Sequence, residues 1–337
     1  MVKSFLASSQ WRSIRPIIPL ALALIVVLLF FSGLLMVRDH QESGQWRSPT
    51  IASPATLEKM VIYTVVVGIA AIGATLVIIS AGIDLSAGSV IAFGGVVTAL
   101  CLERGWPPGL AALGGVCAGL LCGLLNGIVI TRFKVVPFIV TLGSLLVVRG
   151  LAKGIADGKP VNIDQTWLSD LLAVLPDDRK WMLFPPGAWV MFALAALTAA
   201  FLRYTRPGRH IVAVGSNELT ARLCGVAVER IKVLVYAAAG AFAGLSGLML
   251  MSYQQQGDPT GAIGYELDVI AAVVIGGASL SGGEGSILGT LFGAMIMVVI
   301  KTGCQLMGWE PWVTQVVTGV VIIAAVALDR FRHAREA

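Results

Sequence analysis

Six apolar runs, each at or near the ~20 residues needed to cross a bilayer, recur along this chain at 17–37, 60–79, 110–130, 184–202, 233–251 and 311–328. No ordinary soluble domain can bury so much contiguous apolar sequence. Hydrocarbon offers no partner to backbone N–H and C=O groups, so runs of this length are predicted to be helices that satisfy their own hydrogen bonds. Four further runs are shorter or interrupted: 87–102, 136–152, 269–280 and 286–300. The third would reach only ~18 Å as a straight helix. The sum is an all-α, polytopic membrane protein of about ten transmembrane helices. Composition agrees, with 57% of residues hydrophobic and 13% charged, about half the charge of a typical soluble domain.

Cytoplasmic loops retain Lys and Arg, so charge counting fixes the orientation. With the N-terminus inside, the inner segments hold 14 Lys/Arg against 6 Asp/Glu and the outer ones 10 against 13. Both termini are therefore expected in the cytoplasm. The start, with Lys3, Arg12 and Arg15 before a long apolar run, resembles a signal peptide, but the run is too long and lacks a small-x-small cleavage site; it reads as an uncleaved first span. The net charge of +5 then reflects topology, and no nucleic-acid partner is implied. Residues 1–337 are expected to form one transmembrane domain, since the longest outer segment, 153–183, is too small for a fold of its own.

Trp46, Trp106, Trp167, Trp181, Trp189, Trp309 and Trp312 fall on the outer side and Trp11 inside. They read as an interfacial belt or as a landing surface for an outer partner. Cys101, Cys117, Cys122, Cys224 and Cys304 form no CxxC pair and read as packing residues; the histidines are scattered, and no metal site is expected. No HExxH motif and no Ser/His pair on adjacent spans is present, so no catalytic residue is assigned.

Glycines repeat every fourth residue at Gly115, Gly119, Gly123 and Gly127, with similar spacing at Gly240 and Gly244 and at Gly285, Gly289 and Gly293. Such ridges let helix backbones approach closely. Asn126, beside the first ridge, reads either as a group lining a path or as a helix cap. Two inner segments, AGIDLSAGS at 81–89 and GGASLSGGEGS at 276–286, each break an apolar run with glycines and a Leu-Ser pair. Each is either a plain turn or a break that marks a cavity or gate. No carboxylate lies deep in a long span, and a charge at mid-bilayer costs at least ~2.5 kcal/mol. Arg149 and Lys301 are expected to snorkel outwards. This weighs against a carrier driven by protons or sodium.

The sizeable inner loop 203–232 carries a short predicted helix, with Asn217 as N-cap, Glu218 favourable to the helix dipole and Gly225 at the C-terminal end. So short a helix leans on its own protein or on a partner.

The strings GIDLSAGS at 82–89, LLNGIVITRFKVVPFIVTLG at 124–143, RGLA at 149–152, GRHIVAVGSNELTARLCGV at 208–226 and YELDVIAAVVIGGASLSGGEGSILGT at 265–290 resemble, in this order, the membrane permeases of bacterial ATP-binding-cassette importers for monosaccharides, the ribose-type group. The resemblance implies a permease fold of the cobalamin-importer type in the bacterial inner membrane. It also implies a second permease subunit, identical or related, two cytoplasmic ATP-binding subunits and a periplasmic sugar-binding protein. No GxxxxGK[ST] loop is present, so ATP and Mg would be bound by the partner ATPase and no cofactor by this chain. The 203–232 segment matches the family's coupling loop, which makes Gly215, Ser216, Asn217, Ala221, Arg222 and Gly225 the expected contact to the ATPase. Asp84, Ser86, Asn126, Thr141 and Asp268 are the candidate polar groups of the pathway or its gates. Ala81, Ala87 and Ser216 depart from the family pattern by small-for-small changes. Glu284 stands where the family is often basic. The alternative is an ion-coupled secondary transporter or facilitator of a small polar solute.

Overall fold

The computed structural model describes residues 18–43, 50–176 and 181–334, with side chains to residue 327. Lys3, Trp11, Arg12, Arg15 and Trp46 lie outside the described residues. Twelve α-helices follow in order: α1 Ile18–Ser43, α2 Pro54–Ile79, α3 Ala87–Glu103, α4 Pro108–Phe133, α5 Pro137–Ile155, α6 Pro186–Tyr204, α7 Arg206–Ser216, α8 Glu218–Leu223, α9 Val228–Gln254, α10 Tyr265–Ile275, α11 Ile287–Leu306 and α12 Pro311–Ala334. Among the described residues, seven (α1, α2, α4, α5, α6, α9 and α11) are long and apolar enough to cross a membrane; α3 and the 311–327 part of α12 are shorter apolar helices. Several start with proline, whose missing N–H costs nothing in a first turn.

At the centre stands α2, apolar on all sides and packed by α6, α9, α10 and α11. A helix without a polar face has to be enclosed. Around it the glycine ridges set the spacing. A side-chain carbon built at Gly119 would lie 2.3 Å from the Gly240 carbonyl oxygen, and one at Gly123 would lie 2.0 Å from that of Tyr236. The backbones of α4 and α9 therefore touch directly. The same holds for α10 and α11, where a carbon at Gly293 would meet the Ala272 carbonyl at 2.0 Å. Gly285 is not part of that ridge; it precedes α11 and faces Ile79.

The structure departs from the sequence reading in the following places. Val161–Asn162 (β1) pairs antiparallel with Gln256–Gly257 (β2), because two non-helical segments leaving helices on one side satisfy each other's backbone groups. The 156–176 segment also folds back onto the bundle: Leu168 and Leu172 are buried in the main core, and Leu172 N–H donates to Ser252 Oγ at 3.0 Å.

A further departure is α7, where sequence reading expected loop. Thr205 caps it by accepting from Gly208 N–H at 3.1 Å. Gly208, Ile211, Val214 and Gly215 form its buried stripe, the i, i+3, i+4 spacing of an amphipathic helix.

Candidate functional site: an inner hook, a polar knot and a buried ion pair

The hook is α7, α8 and the start of α9. Asn217 Oδ1 accepts from Thr220 N–H at 2.8 Å, the expected N-cap. Gly225 stands just past the helix at φ +83°, a left-handed conformation that glycine adopts without strain. Arg222 Nη1 donates to Glu229 Oε1 at 2.6 Å and Arg222 Nη2 to Glu218 Oε1 at 3.4 Å, while Lys232 Nζ donates to Glu218 Oε2 at 2.6 Å. Two bases and two acids thus brace α8 against the foot of α9. The Lys232 ammonium, with Arg222 assisting, holds the Glu218 carboxyl below its ordinary range. Glu229, and then Glu218, push the Arg222 guanidinium further up. Beside the brace lies a cleft of about 630 Å³ lined by Lys134, Pro137, Glu218, Arg222, Glu229 and Lys232.

The six loop residues divide by position. Gly215 and Ala221 are buried against the rest of the protein. Ser216, Asn217, Arg222 and Gly225 are exposed. Sequence reading missed Leu219 and Leu223, which stand 69% and 80% exposed, one turn apart on the face of α8 opposite Ala221. Their i, i+4 spacing within ELTARL was the available signal.

The polar knot forms at the first break. Asp84 Oδ1 accepts from Ser86 N–H at 2.8 Å and from Ser86 Oγ at 2.5 Å. Asn126 Nδ2 donates to Ser86 Oγ at 3.0 Å. Thr141 Oγ1 and the Tyr236 hydroxyl each approach the Ile83 carbonyl, at 3.3 and 3.2 Å. Asp84, Ser86, Asn126 and Thr141 are all buried, and three helices, α4, α5 and α9, are tied to one non-helical segment. Buried polar groups are satisfied by one another here, as burial requires. Asn126 is no helix cap: it lies inside α4, seven residues before its end.

Asp268 stands elsewhere, on α10. It is 3% exposed and forms an ion pair with Lys301 of α11. Lys301 also lies 5.8 Å from the Tyr265 ring centre. The pair lines a cavity of about 160 Å³ with Tyr63, Thr302 and Gln305. The Lys301 side chain, about a third exposed, is held by this buried carboxylate. Arg149 is likewise retained, donating to the Gly261 carbonyl at 2.5 Å and the Pro259 carbonyl at 3.3 Å. Its reason is the non-helical 258–264 segment, whose carbonyls lack helical partners. No group of three or more His, Cys, Asp or Glu that could hold a metal occurs among the described residues.

Comparison with known proteins adds the following. A family described as branched-chain amino acid transport system / permease component matches residues 56–326. The ribose import permease protein RbsC of Escherichia coli (strain K12) is 37% identical over 282 residues, covering 84% of this chain and 88% of that protein. The protein of the same name from Bacillus subtilis (strain 168) is 37% identical over 288 residues, covering 85% and 88%. The L-arabinose transport system permease protein AraH of Escherichia coli (strain K12) is 35% identical over 266 residues, covering 79% and 80%.

Proposed function

The chain belongs to this permease family, in its ribose- and arabinose-type sugar branch, and from that premise we propose that it is the membrane-spanning subunit of an ATP-driven importer of a monosaccharide or related small polyol. It is a multi-pass inner-membrane permease. Counting α3, α10 and α12 with the seven long spans gives ten crossings, in the cobalamin-importer-type arrangement. ATP hydrolysis and Mg binding then belong to two cytoplasmic subunits, and sugar arrives from a periplasmic binding protein to a pair of permeases, identical or related.

The observation that carries this reading is α8: a capped, braced helix that turns Leu219 and Leu223 outwards. Two bare leucines on a charged loop suit an apolar groove on a partner. Closure of the ATP-binding subunits would pull on α8, and the spans would alternate between outward and inward openings. Gly215 and Ala221 support the hook from within; Ser216, Asn217, Arg222 and Gly225 shape it. Asp84, Ser86, Asn126 and Thr141, bonded within the knot in this conformation, act at the inner gate, and Asp268 acts at the cavity it shares with Lys301.

The test is uptake of radiolabelled ribose, L-arabinose and a hexose panel into proteoliposomes holding the permease with its ATP-binding subunits and binding protein. Uptake is expected only with ATP and all components. The buried Asp268–Lys301 pair favours a second reading, an ion-coupled carrier, because ionisable groups at membrane depth recur in ion pathways. Uptake by the permease alone that followed a proton or sodium gradient would establish it and overturn the first.

A further inference from the structure

Three segments distant in sequence meet at one point below α2. The last turn of α2 leaves the Ile79 carbonyl without an intrahelical partner, and Gly283 N–H of the second break donates to it at 2.8 Å. Gly215 of α7 is pressed into the same contact: a side-chain carbon there would lie 1.7 Å from the Ile79 oxygen and 2.7 Å from the Gly283 nitrogen. One at Gly282 would lie 2.7 Å from Ala81 Cβ and 2.8 Å from the Gly215 oxygen, and one at Gly283 would lie 2.5 Å from Ser216 Oγ. Both breaks and the end of α7 are thus in close contact, with only the small side chains of Ala81 and Ser216 at the junction.

We propose that Ile79, Gly215 and the Gly282–Gly283 pair form a transmission joint, through which displacement of α8 moves the two membrane breaks together. This rests on the reading of α8 as the docked helix. Asn217 alone separates Ser216 from α8, so α8 cannot shift without moving the joint. The first break carries the Asp84–Ser86–Asn126 knot; the second leads into α11 through Ser286, which caps that helix by accepting from Gly289 N–H at 3.1 Å. Two further contacts join α8 to the bundle: Ala221, buried in an apolar cluster with Ile130, Val214 and Val228, and the brace to Glu229 and Lys232. The side chains of the brace are about half exposed at Arg222, Glu218 and Glu229, and such ion pairs are screened and yielding. Closely packed backbones, by contrast, transmit displacement.

The experiment uses the complete importer in proteoliposomes and measures sugar uptake, ATP hydrolysis and co-purification of the ATP-binding subunits for Gly283→Ala, Gly215→Ala and the double variant Gly283→Ala/Ser216→Gly. Gly283→Ala is expected to keep its partners and hydrolyse ATP, while uptake per ATP falls about tenfold. Adding Ser216→Gly removes the hydroxymethyl that the new methyl meets, while the strain of alanine at a φ of +82° remains, so it is expected to restore uptake per ATP in part. A purely structural role would lower uptake and hydrolysis in proportion, with no change in their ratio, and would overturn the proposal. So would an unchanged ratio in both single variants, or a double variant no better than Gly283→Ala. Failure of the unmodified chain to bind the ATP-binding subunits would instead refute the docking reading beneath it.

Discussion

Arg222 shows how much a single side chain is asked to do on this loop. Sequence reading cast it as a charged contact for a partner, whereas its guanidinium is held by Glu229 and Glu218 of its own chain. Arg222→Glu would place three acids where two acids and a base now meet. The expected result is loss of coupled uptake and weaker association with the ATP-binding subunits, at unchanged membrane insertion, read by uptake and co-purification. Glu218 adds a pH dependence. Its carboxyl is held below the ordinary value of 4.5, so the folded loop binds fewer protons than the unfolded one there. Its contribution is complete above about pH 4.5 and is lost as pH falls through the lower folded value. Protection factors at the amides of 218–223, corrected for the intrinsic exchange rate at each pH, should fall in that acid window, and Glu218→Gln should abolish the fall. Asn217→Ala removes the N-cap, worth ~1 kcal/mol, and should speed exchange of the same amides about fivefold at neutral pH. The cap was legible from Asn-Glu and a glycine eight residues on. The brace was not, because Arg222–Glu229 and Glu218–Lys232 are joined by a chain reversal at Gly225, not by helical spacing.

Among elements, the closest contact is that of α4 with α9, and the glycine spacing announced it. Gly123→Leu would drive a side chain into the Tyr236 carbonyl. The expected outcome is loss of folded protein in detergent, whereas Gly143→Leu, with open space around it, should be tolerated; thermal unfolding followed by size-exclusion chromatography compares the two. The α10–α11 pairing carries a different risk. Lys301→Met would leave Asp268 buried without its cation, a change that costs ~3–5 kcal/mol in comparable sites, and Lys301→Met/Asp268→Asn should recover part of the loss in the same unfolding assay. Helix α7 escaped sequence reading because it lies inside the polar 203–232 segment, which was read as a loop around one short helix, and only Gly208, Ile211, Val214 and Gly215 of its residues are buried. The Thr-x-Pro-Gly start was the overlooked sign, since proline belongs in a first turn. The strand pair β1–β2 left no signal at all: two residues on each side pair only because the bundle brings them together.

For the whole molecule, the expected orientation rests on charge counting and can be checked directly. Cys224 is an exposed thiol at the end of α8. A variant retaining only Cys224 should react with a membrane-impermeant maleimide in inside-out vesicles and stay unlabelled in right-side-out ones; the reverse pattern would turn the topology over. Apolar runs made the class, the seven long helices and the two non-helical breaks readable, whereas the way 258–264 hangs from Arg149 depends on contacts between helices far apart in sequence.

Helix α9 runs without interruption from Val228, beside the brace, to Gln254, beside the strand pair, a length of ~40 Å for its 27 residues. A load applied at the outer ribbon therefore reaches the cytoplasmic foot along one stiff strut, with no hinge in between to absorb it. In this architecture the two faces of the membrane share a single beam.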